Sequence, residues 1–130
     1  MMININRSTF LLVCFFYSIL AFPQGMSDAS LEAMLIREHV QHHKIVIAQA
    51  KLETGNYQSK LCKTKHNLFG LKGKRGYIAF NSYVECIRYY KNHIQNKYDG
   101  HSNYYTFLQR IGYARDPNYI TKLKKIVKNL

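Results

Sequence analysis

The chain has 130 residues, of which 47% are hydrophobic and 14% aromatic. This length supports one domain with a real core and leaves no room for a second domain of ordinary size. Lysine and arginine number 19 against seven aspartate and glutamate residues, a formal charge of +12. The excess predicts an anionic partner or surface. Eleven tyrosines exclude a disordered basic arm, which would be poor in aromatic residues.

The amino-terminal segment predicts a secretory signal peptide. After a polar start, Phe10–Phe22 form thirteen residues without a charge. Such a stretch is shorter than the ~20 residues of a membrane-spanning helix and lies within the roughly 7 to 15 of a signal hydrophobic region. We place the signal peptide at residues 1–25 and the mature domain at 26–130, exported and not stably inserted in a membrane after cleavage. A retained anchor is the alternative, as is lipidation at Cys14, although Val13 occupies a lipobox position that needs a small residue.

Two helices are predicted in the first half of the mature chain. The first covers residues 27–39 and has a cap at Ser27 or Asp28. The second covers residues 44–54 and is nearly all apolar, so we expect a central helix that is buried on most faces. Gly55 ends this helix, because glycine readily adopts the left-handed conformation that closes a helix C-terminus.

Glu53 lies in the last turn of the predicted central helix. The negative end of the helix dipole and burial both disfavour an ionised carboxylate, so this position predicts a raised pKa. A carboxyl group that stays protonated near neutral pH is what a general acid requires. The alternative is a glutamate that rotates into solvent or pairs with one of the many lysines.

A glycine-punctuated lobe follows the central helix. Residues 56–75 carry no carboxylate and are typical of loops and short turns, and Tyr77–Phe80 predicts a short strand. Ser82 and Glu85 match the S-x-x-E capping box of a helix that runs from about Tyr83 to Gln95. Ser82 and Glu85 therefore have structural roles.

Two more helices are predicted near the C-terminus. Asn103 caps a helix that extends to Arg110 and is ended by Gly112. Asp116 as N-cap and Pro117 at the first helical position start a closing helix, with apolar residues inward and lysines outward. Asp116 is thereby also assigned a structural role.

Histidine and cysteine spacing predicts no metal site. His39 and His43 lie four residues apart, but no glutamate directly follows His39, as the zincin pattern requires. Cys62 and Cys86 remain in the mature chain. An oxidising compartment allows them to form a disulfide, and two small buried thiols are the alternative. We expect no cofactor.

Three motifs occur in order along the mature chain. They are A-Q-A-K-L-E-T-G at residues 48–55, N-L-F-G followed by L-K-G at 67–73, and Y-A-R-D-P-N-Y at 113–119. Together they resemble the glucosaminidase family, glycoside hydrolase family 73, over roughly residues 45–127. The resemblance implies a mostly helical, lysozyme-like α+β fold with a small loop and β lobe after the central helix. It also implies hydrolysis of peptidoglycan glycan strands, usually at the bond that follows N-acetylglucosamine.

The resemblance also implies roles for individual residues. Glu53 corresponds to the catalytic general acid, and Tyr113 to a residue beside it that positions water or the acetamido group. The residues expected to bind substrate or shape the cleft are Asn67, Phe69, Gly70, Lys72, Tyr77, Phe80 and Tyr119. Core packing is the alternative role for Phe69, and folding of the corner around Asp116 is the alternative role for Tyr119.

A second catalytic carboxylate is not evident. Glycosidases ordinarily use two carboxyl groups separated by roughly 5 to 9.5 Å, and no Asp or Glu occurs between Glu53 and Glu85. We therefore hypothesise a one-carboxylate mechanism, in which the substrate's 2-acetamido group or a water held by Tyr113 supplies the nucleophile. A lytic transglycosylase, which also works from one glutamate, is an alternative enzyme class.

The expected partner is the peptidoglycan glycan strand, bound by a monomeric exported enzyme in the cell envelope or outside it. The alternative class is a non-catalytic wall-binding module or a secreted nucleic-acid-binding module, but no RNA or DNA motif accompanies the charge. A cationic rim is expected around the cleft, where it would attract peptidoglycan carboxylates. Its predicted members are Lys60, Lys63, Lys65, Lys72, Lys74 and Arg75.

Overall fold

The computed structural model describes residues 25–130, so all but the last residue of the predicted signal peptide lies outside it. Within this range the chain is mostly helical and contains one small β-hairpin. They are α1 (Asp28–Arg37), α2 (His43–Thr54), α3 (Lys60–Lys65), β1 (Lys72–Gly73), β2 (Gly76–Tyr77), α4 (Tyr83–His93), a 3-10 helix (Gln95–Lys97), α5 (Tyr104–Arg110) and α6 (Tyr119–Lys128). Among the described helices, none has the length and apolar character needed to cross a membrane.

The central helix α2 forms the middle of the hydrophobic core. It packs against α1 and α6, and residues 46–50 are all buried, as its apolar composition predicts. The helix begins one residue earlier than predicted, after His42 in a left-handed conformation (φ 56°). Gly55 (φ 56°) ends it in the predicted left-handed conformation. Helix α1 is capped by Ser27, also as predicted, and Leu31 and Leu35 of α1 are fully buried.

The lobe contains a helix that the sequence pattern did not reveal. Ser59 accepts a hydrogen bond from the Cys62 backbone amide and so begins α3, and His66 ends α3 in a left-handed conformation (φ 50°). A hairpin follows, in which the two-residue strands β1 and β2 pair antiparallel. The strand predicted at residues 77–80 is therefore misplaced. Beyond Tyr77 the backbone leaves the hairpin to bury Phe80, whose amide bonds the Lys65 carbonyl at 2.8 Å.

Helix α4 begins at Tyr83 under the predicted cap. The Ser82 side chain accepts a hydrogen bond from the Glu85 amide at 3.1 Å. The reciprocal half of the predicted capping box is wrong, because the Glu85 carboxylate accepts from the Asn81 amide at 2.7 Å instead of from the Ser82 amide. Glu85 still serves the helix terminus, one residue farther out than expected. The α5 cap at Asn103 is confirmed.

The closing helix α6 begins at Tyr119, later than predicted. Asp116 is not its N-cap, since the cap residue is Asn118, which makes no side-chain capping bond. Asp116 instead folds the turn before the helix: its carboxylate accepts from the Asn118 amide at 2.8 Å and also pairs with Lys122. Asp116 therefore has a structural role, as predicted, but it stabilises the turn at residues 116–118 and does not cap the helix.

Both mature cysteines are free thiols in the structure. Cys62 and Cys86 are completely buried, and burial raises the pKa of Cys86 to about 12. The Cys86 sulfur accepts a weak hydrogen bond from the Leu68 amide at 3.4 Å. The structure thus contains the pair of buried thiols and not the disulfide, and Cys86 supports the loop that carries the N-L-F-G motif.

The architecture is a mostly helical α+β fold with its small β element in the lobe after the central helix, as predicted. One buried core joins all the helices to the lobe. Since α2 lies in the middle of this core, its C-terminal turn emerges at the boundary between the helical part and the lobe. The boundary is where the candidate site is found.

Candidate active site

A cleft with a volume of about 680 Å³ opens at the C-terminal end of α2. Its wall on one side includes Glu53. The remaining walls come from the lobe, the 3-10 helix and the segment between α5 and α6. The residues predicted from the sequence that line it are Glu53, Phe69, Gly70, Lys72, Tyr77 and Tyr113.

Glu53 occupies the last turn of α2 and keeps part of its surface in contact with solvent. Protein atoms crowded around its carboxyl group nevertheless remove much of the group's hydration. This desolvation raises the pKa of Glu53, and the neighbouring Tyr119 hydroxyl opposes the rise in part. The direction agrees with the expectation from the helix terminus, so the proton is held more tightly than on an ordinary glutamate.

Gly70 brings the lobe into contact with the Glu53 carboxylate. A Cβ atom built on Gly70 would lie 3.1 Å from Glu53 Oε2, closer than a relaxed contact allows. Gly70 also has a positive φ of 62°, which other residues adopt only with strain. Glycine therefore meets two requirements here, the turn of the loop and the close approach of the loop to the carboxylate.

Asn67 holds the loop that presents Gly70. Its side chain is fully buried and makes four hydrogen bonds to backbone groups of the lobe. The amide donates to the Leu71 and Ile78 carbonyls at 2.9 and 3.0 Å, and its oxygen accepts from the Leu71 and Phe69 amides at 3.0 and 3.3 Å. Asn67 therefore shapes the floor of the cleft from beneath and has no surface with which to touch a substrate.

Phe69 forms part of the cleft floor and of the core at once. Only 2% of its surface is exposed, and its ring lies 4.5 Å from that of Tyr90 between centroids. Core packing, the alternative given for Phe69, thus describes most of its side chain. Phe80 and Tyr119 were predicted to bind substrate, but they are buried and do not line this cleft. Their aromatic character reflects packing.

Tyr113 lines the cleft and contacts the loop that carries Gly70. Its hydroxyl donates to the Phe69 carbonyl at 3.4 Å, a long hydrogen bond. Burial and the nearby Tyr119 and Glu53 raise the pKa of Tyr113 well above its ordinary value. The Tyr113 hydroxyl is therefore protonated at physiological pH, where it can donate a hydrogen bond but cannot act as a base.

The outer edge of the cleft is aromatic and cationic. Tyr77 is 48% exposed at the hairpin, and the ammonium group of Lys72 lies 4.8 Å from the centre of its ring. Lys97 and Arg115 line the cleft as well, although the sequence did not identify them. Of the predicted cationic rim, Lys72 is the one member that lines the cleft. Arg115 stands inside the Y-A-R-D-P-N-Y motif, which was the signal that could have found it.

Glu53 is the one carboxylate that lines the cleft, and all seven acids of the chain lie in the described residues. Asp99 accepts from the Ser102 and His101 amides at 2.8 and 3.0 Å, which lowers its pKa to about 2. Of the others, Glu32 is exposed on α1 and the rest are held elsewhere. These partnered groups are Asp28 with Lys51 and Tyr57, Glu38 with Arg88, Glu85 with Asn81, and Asp116 with Lys122.

A buried polar network supports α2 from behind the cleft. The Tyr90 hydroxyl donates to Gln49 Oε1 at 2.6 Å and is 2.7 Å from the Tyr104 hydroxyl, which accepts from Gln95 at 3.1 Å. Gln49 precedes Glu53 by one helical turn, so this network fixes the helix segment that carries the carboxyl group. The network satisfies the Gln49 oxygen, whereas the buried Gln49 Nε2 has no hydrogen-bond partner among the described residues.

The described residues contain no group of three or more histidine, cysteine or acidic side chains that could hold a metal ion. The chemistry available in the cleft is therefore that of one carboxyl group with a raised pKa, one protonated phenol and an edge of cations and aromatic rings. This set can protonate a leaving group and bind an anionic or carbohydrate ligand.

Comparison with known proteins agrees with the motifs. Residues 29–130 match the model of the family described as glucosaminidase, mannosyl-glycoprotein endo-beta-N-acetylglucosaminidase. An N-acetylmuramoyl-L-alanine amidase domain-containing protein of Staphylococcus aureus is 29% identical in an alignment 123 positions long, and the matched part is 65% of this chain and 20% of that protein. The chain thus spans about a fifth of this relative, and no solved structure matches it significantly. Because the family model covers most of its length, the chain belongs to the glucosaminidase family.

Proposed function

We propose that the protein is an exported peptidoglycan hydrolase of the endo-β-N-acetylglucosaminidase type, with Glu53 as its general acid. The observation that carries the proposal is the isolation of Glu53: it is the one carboxylate in the large cleft, and desolvation raises its pKa. Family membership supports glycoside hydrolysis, and the N-acetylmuramoyl-L-alanine amidase domain in the name of the staphylococcal relative supports a substrate that contains N-acetylmuramoyl groups.

In the proposed reaction, the Glu53 carboxyl group donates its proton to the glycosidic oxygen as the bond between that oxygen and the anomeric carbon breaks. A raised pKa favours the protonated form that a general acid needs. The leaving strand departs as an alcohol, and positive charge develops on the sugar ring that remains. The ionised Glu53 can then accept a proton from the water that completes hydrolysis.

The nucleophile in this scheme does not come from a second carboxylate. The partners of Asp99, Asp116 and Glu85 hold these groups at turns and caps away from the cleft. The carbonyl oxygen of the substrate's own 2-acetamido group can attack the anomeric carbon, and substrate assistance of this kind occurs among glycosidases. Tyr113 can donate a hydrogen bond to that acetamido group or to an attacking water, since its hydroxyl stays protonated.

Substrate binding is assigned to the exposed edge of the cleft. Tyr77 offers a ring face of suitable size for a sugar, next to Lys72. Gly70 and Phe69 provide the floor close to Glu53. Export, a mature domain at residues 26–130 and a monomeric state remain parts of the proposal.

The proposal is tested by a zymogram with embedded cell wall, in which the full chain is compared with Glu53→Gln. The native protein should clear the wall, and Glu53→Gln should not, because the amide cannot donate the proton. Circular dichroism of both proteins checks that they are folded. Clearing by a folded Glu53→Gln protein would contradict the assignment, and no clearing by the native protein would favour the non-catalytic binding module.

A lytic transglycosylase is the second candidate, because a single carboxylate in the cleft suits that reaction too. In that case the 6-hydroxyl group of the muramyl residue attacks, and the products carry 1,6-anhydromuramyl ends. Mass spectrometry of digested peptidoglycan separates the two candidates: hydrolysis adds one water per cleavage, and the transglycosylase adds none. Reducing N-acetylglucosamine ends would support the first proposal.

A further inference from the structure

Three cationic side chains reach the same cleft from three separate elements. Lys72 comes from β1, Lys97 from the 3-10 helix and Arg115 from the segment before α6. Within residues 25–130, none of the three forms an ion pair. Asp116, the neighbour of Arg115 in sequence, pairs with Lys122 instead.

This grouping differs from the other basic surface of the molecule. On α6, Lys122 pairs with Asp116, Lys124 lies over the Tyr105 ring, and Lys125 and Lys128 are exposed on the polar face of an amphipathic helix. These lysines need no ligand to explain them. The three cleft cations are brought together only by the tertiary fold. Like charges that converge on a concave surface repel each other, and an anionic ligand relieves this repulsion.

Glu53 does little to compensate these charges. It is the single acidic residue of the cleft, and a general acid must be protonated, and so uncharged, when it begins its work. The cleft that meets the substrate is therefore cationic. A neutral glycan such as a chain of N-acetylglucosamine alone would leave all three charges unpaired.

We propose that this cleft selects glycan strands by the carboxylates they carry, with Lys72, Lys97 and Arg115 as specificity-determining residues. The inference rests on the proposed function and deepens it. Arg115 can bind a carboxylate through two parallel hydrogen bonds, whereas the lysines act as point charges. Lys72 holds its ammonium group over one face of the exposed Tyr77 ring, at the edge of the cleft where a carboxylate substituent can meet it.

Peptidoglycan offers the carboxylate from two sources, the lactyl group of a muramyl residue without a peptide and the stem peptides. The test therefore uses five probes: peptide-bearing glycan strands, peptide-free strands, each of these two with its carboxylates converted to neutral amides, and neutral N-acetylglucosamine oligomers. Binding is measured with full-length Glu53→Gln, so that no probe is consumed, and turnover is measured with the native chain.

The decisive variant is Lys97→Gln with Arg115→Gln, made in both proteins. Its matched control is Lys125→Gln with Lys128→Gln, which removes the same charge from exposed positions on α6. Two surface ion pairs of ordinary strength predict a preference of about fivefold or more for carboxylate-bearing over amidated strands at low salt. The cleft variant should reduce this ratio toward one, the control should retain it, and added NaCl should reduce it in the native chain.

The outcomes separate this inference from the proposed function. Equal binding of carboxylate-bearing and amidated strands, or an equal loss in the α6 control, would overturn the inference even if both glycans were cleaved. A carboxylate preference without any cleavage by the native chain would support the inference and contradict the proposed hydrolase. A preference confined to peptide-bearing strands would support the inference and identify the stem peptide as the source.

Discussion

The two walls of the cleft are built in different ways. The α2 wall that carries Glu53 belongs to the core, with residues 46–50 buried and a hydrogen-bonded network behind Gln49. The lobe wall consists of a two-residue hairpin and a loop organised by the single side chain of Asn67. The comparison indicates a difference in construction: the proposed general acid stands on a helix fixed by packing, and the proposed substrate-binding groups lie on short, exposed elements.

Among substitutions outside Glu53 itself, the largest expected effect on activity comes from the lobe wall, where Gly70→Ala would press a methyl group against the Glu53 carboxylate. A Cβ atom 3.1 Å from Oε2 must move the acid or the loop by a few tenths of an ångström. Because a displacement of about 1 Å at a catalytic group costs on the order of 100-fold in rate, this smaller shift predicts a loss on the order of tenfold. We therefore expect kcat/KM on peptidoglycan to fall by about that factor, as measured by release of reducing ends.

Gly100→Ala is the matched control for Gly70→Ala. Gly100 also has a positive φ (86°), but a Cβ atom there would meet nothing within 4 Å. Both variants should lose a similar free energy of unfolding, about 1 to 2 kcal/mol, from backbone strain. If Gly100→Ala lost as much activity as Gly70→Ala, strain and not contact with Glu53 would explain the effect.

A substitution in the network behind the α2 wall should lower the free energy of unfolding. Tyr90→Phe would remove the hydroxyl between Gln49 and Tyr104 and leave the buried Gln49 oxygen without a partner, while Tyr104 keeps its hydrogen bond from Gln95. The free energy of unfolding should fall by about 1 to 3 kcal/mol in chemical denaturation. Tyr105→Phe is the control, since the Tyr105 hydroxyl makes no hydrogen bond to the described residues, and it should change stability by less than about 0.5 kcal/mol.

The smallest expected effect is a change in pH dependence at Tyr119. Its hydroxyl is buried without a partner of good geometry, and its proximity to Glu53 lowers the pKa of that carboxyl group. Tyr119→Phe should therefore raise the pKa of Glu53 further. Because the general acid works in its protonated form, the basic limb of the kcat/KM profile should move to higher pH. A shift to lower pH would contradict this relation between the two groups.

The helical wall was largely predictable from the sequence, and the lobe was not. An apolar run with a glycine terminator predicts α2, because burial and the left-handed C-terminus are local properties. The start of α6 was misplaced because Asp116 bonds in a turn that competes with capping. The hairpin was misplaced because two-residue strands carry almost no periodicity.

The candidate site was predictable where its residues belong to the sequence motifs. Glu53 and Gly70 come from two motifs, and the structure brings them into contact. Lys97 was missed because its place in the cleft depends on how the 3-10 helix packs, which no local pattern encodes. Phe80 and Tyr119 were assigned to the substrate, but both are buried. An aromatic residue near a motif packs in the core as often as it binds a ligand, and the sequence alone does not separate these roles.

The measurement that tests the central claim most directly is a comparison of kcat/KM on purified peptidoglycan for Glu53→Gln and Asp99→Asn. The same assay includes Glu85→Gln and Asp116→Asn, and circular dichroism shows which proteins are folded. If Glu53 is the one catalytic carboxylate, its variant should lose turnover while the other three retain appreciable activity. A folded Asp99→Asn protein as inactive as Glu53→Gln would contradict the one-carboxylate mechanism.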